Sequence, residues 1–182
     1  CICTNELHSS AFSRLVGRTN AQIAMGDMVA YVPGCQDMHY WPINPEKFDA
    51  RPPTFRAGET LRVAHAPNHG HFKGTNLLRG AIDKLAREGE KIELVSVQGV
   101  SNRRVIELFG TAHIVADQFV SGFHGYTTLE AMAMAKPVLC FLRNDQMMID
   151  PATCPIINTR PEDIYEVLKK CLRGEIDLAA VG

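Results

Sequence analysis

The sequence predicts an α/β protein, a Rossmann-like doubly wound parallel sheet. From Leu61 onward, short apolar runs alternate with longer amphipathic segments of helical period. The connections between them are short, the signature of right-handed βαβ units around a parallel sheet. In such sheets ligands bind beyond the carboxyl ends of the strands, where the helix N-termini point.

Each element has its own signal. Leu61 to Ala66 reads as the first strand, and Thr75 to Glu88 as a helix whose stripe is Leu77, Leu78, Ala81, Ile82, Leu85 and Ala86. Gly89 falls where a helix stop is expected. Ile92 to Val97 is the second strand, and Ser101 caps a short helix through Val105, Ile106, Leu108 and Phe109. His113 to Asp117 is the third strand. A tight, glycine-containing turn then opens a helix from Tyr126, which runs into the strand Pro137 to Leu142. That helix is apolar on nearly every face except at Glu130, so burial is expected on all sides and Glu130 needs a partner in the protein or in a ligand. Pro155 to Asn158 is the last strand. Thr159-x-x-Glu162 then has the pattern of a capping box for a helix carrying Ile164, Tyr165, Leu168, Cys171 and Leu172.

Residues 1–60 read differently. Leu15 to Gly26 is weakly helical and Met28 to Val32 is a short strand. Pro33 to Pro53 is rich in proline and turn residues and holds Trp41. Two readings stand: an irregular lead-in packed on the sheet, or the tail of a preceding domain with a linker. Pro42, Pro45, Pro52 and Pro53 favour the second, which places the domains at 1–60 and 61–182. The chain starts at Cys1, so a processed or truncated chain is expected.

Composition excludes some functions. A formal net charge of -1 with a pI near 6.7 argues against an electrostatic grip on nucleic acid or anionic lipid. Arg103-Arg104 reads as solvated surface. Six scattered cysteines lack a zinc-ribbon pattern, and Cys140 and Cys171 lie at apolar positions where a free thiol behaves as a small hydrophobe. No apolar run is long enough to span a bilayer and no signal-peptide pattern occurs, so a reduced, cytoplasmic setting is expected.

Three loops gather at the carboxyl edge. Pro67 to Thr75 offers Lys73, the flexible pair Gly70 and Gly74, and a helix's first amides, a set suited to a phosphate; a merely solvated lysine is the plainer alternative. His65, His69 and His71 lack the placed carboxylate or cysteine that a metal site would want. Gln98 to Asn102 could take a flat base against Gly99 and Val100, or be a simple turn. Ser121 to Thr128 brings Gly125 and the amides of Tyr126, Thr127 and Thr128 to a helix start. Glu130 either serves the helix dipole or accepts bonds from sugar hydroxyls.

Val63 to His69 followed by Phe72-Lys73-Gly74-Thr75, then Ala116 to Val120 and His124 to Val138, resembles the donor-binding, C-terminal domain of retaining glycosyltransferases of the GT-B fold, family four. The resemblance runs from His39 to about Leu172. It implies a nucleotide-sugar donor as substrate, hexosyl transfer to an unknown acceptor, and no metal or cofactor. Lys73 is the implied catalytic residue, neutralising the donor diphosphate, with Gly74 shaping the loop. Gly125 and the amides of Tyr126, Thr127 and Thr128 would cradle a phosphate, Glu130 would hold the ribose, and Val100 would flank the base. The resemblance also implies a missing N-terminal domain and a full-length enzyme open to peripheral membrane association, with this piece alone inactive.

Two positions depart from the family pattern. Gly122 stands where the first glutamate of the E-x7-E motif belongs, and Asn68 where an arginine usually precedes the lysine. A non-catalytic nucleotide-sugar-binding or regulatory module of the same fold is therefore the alternative. A nucleotide-sugar epimerase, a third reading, would want acid/base carboxylates that the loops do not offer.

Overall fold

The computed structural model describes residues 42–143 and 153–182, with short pieces before them at 14, 18, 21, 23–25 and 35–38. The chain divides into two compact units, Cys1–Pro42 and Ile43–Gly182. In the first, strand β1 (Ile23–Met25) pairs in parallel with β2 (Gln36–Met38). Ile23–Met25 is thus extended, not part of a helix, because its backbone groups pair across to Gln36–Met38. The expected strand Met28–Val32 and Trp41 lie outside the described residues.

The second unit opens with an irregular lead-in packed on the sheet that follows. A 3-10 turn at Pro45–Lys47 is capped by the Asn44 side chain. Arg51 donates its amide to Met134 O, and the Phe55 ring lies 5.2 Å from that of His113. The sheet comprises β3 (Leu61–His65), β4 (Ile92–Ser96), β5 (Ile114–Ala116), β6 (Val138–Cys140) and β7 (Ile156–Asn158). All pairings are parallel, in the order β4-β3-β5-β6-β7. This is a Rossmann-like α/β arrangement whose strand order reverses between β3 and β5.

The helices are α1 (Gly70–Lys73), α2 (Thr75–Arg87), α3 (Asn102–Thr111), α4 (Tyr126–Ala133), α5 (Ile164–Leu172) and α6 (Leu178–Val181). Alternation along the strands divides the core in two. Leu61, Val63, Ile114, Ala116 and Leu139 pack with Leu78, Ile82 and Leu85 of α2 and Ile164, Leu168 and Cys171 of α5. Ala64, Val115, Val138 and Cys140 pack with Leu108 and Phe109 of α3 and Ala131 of α4. Burial on both faces is why these strands read as apolar runs rather than as strict alternation.

Helix ends follow local chemistry. Gly89, at φ +89°, closes α2 in a Schellman motif: its amide donates to Ala86 O and that of Glu90 to Leu85 O. Ser101 Oγ accepts from the Arg104 amide at the start of α3. The expected capping box at Thr159 does not form. Its hydroxyl turns back to Ile157 O at 2.7 Å, and a proline-led 3-10 turn (Pro161–Asp163) precedes α5. Helix α4 also departs from expectation. Thr128 and Ala131 are its buried residues, while Tyr126 stays 45% exposed and Glu130 half-buried. One face meets the sheet and α3, and the N-terminal end stands at the open carboxyl edge. Among the described residues no helix is long and apolar enough to cross a membrane.

Candidate functional site at the strand-order reversal

The loops after β3 and β5 flank the point where the strand order reverses, the usual ligand crevice of such sheets. The loop after β3 is more ordered than a flexible glycine pair suggests. Residues 70–73 wind into α1, and Gly74 turns the chain into α2 at φ +73°. A Cβ on Gly74 would lie 3.1 Å from the Phe119 Cβ, so the position needs both the left-handed backbone and the absence of a side chain. The Phe119 amide donates to Lys73 O at 3.1 Å, fixing the lysine's backbone to the neighbouring loop.

His65 holds the base of this arrangement. Its Nδ1 donates to Ala116 O at 2.9 Å, so its Nε2 accepts from the Thr75 hydroxyl at 2.8 Å. Burial pushes its pKa down, and the ring is a neutral strut between β3, β5 and α2. With both nitrogens engaged, His65 does not join His69 and His71, whose rings stand 6.4 Å apart edge to face. No group of three or more His, Cys, Asp or Glu converges as a metal set among the described residues.

The centre of the site is Asp117, at the end of β5. Its carboxylate is fully buried. Oδ1 takes the Lys73 ammonium, and Oδ2 accepts from the Gly125 amide at 2.8 Å and the Thr128 hydroxyl at 2.7 Å. Lys73 Nζ lies 3.2 Å from where a Gly125 Cβ would stand, which puts the ammonium at the N-terminus of α4. A cation there opposes the helix dipole, and Asp117 offsets that cost. The structure thus brings Lys73, Gly125 and Thr128 together around a carboxylate that the sequence reading passed over. Thr128 spends its hydroxyl on Asp117 and its amide on Gly125 O at 3.1 Å. Tyr126 and Thr127 supply the first two amides of α4, which a helix directs along its axis.

Gln118 staples the loop that follows. Its Oε1 accepts from both the amide and the hydroxyl of Ser121 at 2.8 Å, and its amide nitrogen donates to Phe123 O. Gly122, at φ +73°, is crowded: a Cβ would sit 2.9 Å from Arg143 Cβ and 3.0 Å from its Nε. No acidic side chain fits there without rearrangement. The Phe123 and His124 rings stack at 4.5 Å, and burial lowers the His124 pKa.

The loop after β4 completes the edge. Gln98 donates to Asn68 O at 3.1 Å, so Asn68 serves the rim through its backbone. Val100 is 42% exposed. Asn102, the first residue of α3, donates its side-chain amide to Glu130 Oε1 at 2.8 Å. That gives Glu130 a protein partner and leaves Oε2 for another donor. The large exposed apolar side chains described in this unit (Phe72, Leu77, Val100, Val120 and Tyr126) all belong to segments at this edge.

Asp117 and Asn102 each have one partner far along the chain, Lys73 and Glu130. The one signal for Asp117 in the sequence is an acid closing an apolar strand, on the ligand-binding edge. No protein-family model matches this chain, and no curated protein is similar to it at a significant level.

Proposed function

We propose that residues 43–182 bind the nucleotide-sugar donor of a glycosyltransferase, in the manner of the metal-independent retaining enzymes of the GT-B fold. The observation that carries this reading is the Lys73 ammonium at the N-terminus of α4, beside the strand-order reversal, with Glu130 one turn further on. Cleavage of a sugar–phosphate bond leaves negative charge on the departing diphosphate. A fixed ammonium and a helix N-terminus stabilise that charge as it develops. Lys73 and the amides of Tyr126 and Thr127 take the phosphates, and Gly125 lets them approach. Glu130, oriented by Asn102, accepts the ribose hydroxyls, while Val100 flanks the base.

Calorimetric titration with nucleoside diphosphates and nucleotide-sugars tests this directly. Micromolar binding that falls in Lys73→Ala and Glu130→Ala supports it, and absence of binding to any nucleoside diphosphate sinks it.

The second reading, a module that binds without transferring, is favoured by Gly122, where backbone and crowding exclude the acid of the family motif. Binding with neither transfer to an added acceptor domain nor hydrolysis of the bound donor would select it.

A further inference from the structure

We propose that Asp117 is an internal counter-ion that competes with the donor's diphosphate for Lys73, and so limits how tightly the site holds its nucleotide. The proposal rests on the donor-binding reading above. A buried carboxylate is costly unless paired, and Asp117 meets that cost with three donors on two oxygens. The ammonium among them is the same group that stands at the α4 N-terminus. A phosphate arriving there meets an ion pair that is neutral in sum, not a lone cation. It gains the full charge of Lys73 only by drawing the ammonium away from Asp117.

The geometry permits sharing. The Lys73 side chain is 21% exposed, so it is reachable from solvent, and an ammonium has three N–H bonds to distribute. Asp117 cannot follow it outward, because the Gly125 amide and the Thr128 hydroxyl hold the other oxygen. The consequence is a site tuned for release: the diphosphate product leaves a lysine that already has a waiting partner. A purely structural Asp117, one that only pins the turn before α4, gives the opposite sign on substitution.

The test is calorimetry with inorganic pyrophosphate and nucleoside diphosphates on wild type, Asp117→Asn, Lys73→Ala and the double variant. Asparagine keeps a carbonyl oxygen for Gly125 and Thr128 while removing the charge. Asp117→Asn is expected to bind pyrophosphate about tenfold tighter, within the range over which close charge pairs couple to affinity. That gain is expected to vanish when Lys73 is alanine, since it runs through the lysine. If Asp117→Asn does not fold, Asp117→Ser carries the same expectation. Unchanged or weaker binding by the folded variant, with wild type binding nucleotide, overturns this inference and leaves the donor-binding reading intact. Tighter pyrophosphate binding by Asp117→Asn, with no nucleotide binding by either protein, sinks the donor-binding reading and overturns the inference with it, leaving Asp117 as the counter-ion of a plain anion site. Silence from both proteins overturns both.

Discussion

Asn102 Nδ2 donates to Glu130 Oε1 across 2.8 Å, tying the first residue of α3 to the second turn of α4. The bond orients a half-buried carboxylate at the rim of the site. Glu130→Ala is expected to weaken nucleoside diphosphate binding by about 1.5–3 kcal/mol, the scale of a charged hydrogen bond. Asn102→Ala is expected to cost less, because the carboxylate keeps its charge and loses only its orientation. Titration of both variants checks the order; equal and negligible effects would return Glu130 to the surface of a helix.

Acid is expected to destabilise the second unit before its carboxylates titrate. Burial lowers the folded pKa values of His65, His113 and His124. The unfolded chain therefore takes up more protons below about pH 6.5, and stability falls as pH drops from there toward the folded values. His113 has a specific reason: its Nδ1 accepts the Arg62 amide at 3.0 Å, so protonating that atom breaks a contact between β3 and the start of β5. Melting temperatures between pH 8 and pH 5 should be level at the alkaline end and decline below it. A profile that stays flat to pH 5 would contradict this.

Gly122→Ala is expected to cost about 1–3 kcal/mol, since it forces an L-residue into a left-handed backbone. The clash with Arg143 adds to that. Denaturant unfolding measures it. Gly122→Glu is likewise expected to lose stability.

Lys136 is 4% exposed. Burial pushes its pKa down. Lys136→Met keeps the length, removes the charge and is expected to stabilise the unit by about 1 kcal/mol. A loss of stability in chemical denaturation would show that the ammonium finds a partner in solution.

Thiol reactivity separates the core cysteines from the rest. Burial raises the Cys140 thiol far above its usual range and the Cys171 thiol to about 12. Both are expected to resist alkylation in the native state at pH 8 and to react at once in denaturant, as peptide mapping would show.

The element order was legible in the sequence because each strand is a short apolar run and each helix carries its own stripe and stop, as at Leu78, Ile82, Leu85 and Gly89. The centre of the site was not. Asp117 is organised by Lys73, far back along the chain, and by Gly125 and Thr128 across a turn, and no local pattern announces such a meeting. Thr159 misled for a different reason: its hydroxyl had a nearer carbonyl to bond than the helix start. Helix α4 misled because an apolar composition does not say which faces a sheet will cover.

The position of β3 inside the sheet, between β4 and β5, constrains the order in which this unit can assemble. Both its neighbours lie later in the chain: β4 joins it at Leu61↔Ile92, and β5 at Val63↔Ile114. No hairpin is available to nucleate the sheet, because parallel neighbours require a crossover. During synthesis Leu61 to His65 therefore waits, one edge open, until Ile114–Ala116 has emerged. Loop closure on that scale slows folding relative to a helical bundle of the same size. The strand that anchors the site's lysine loop is the first of this sheet to be made and the first to gain both its neighbours, before β5 and β6 gain theirs.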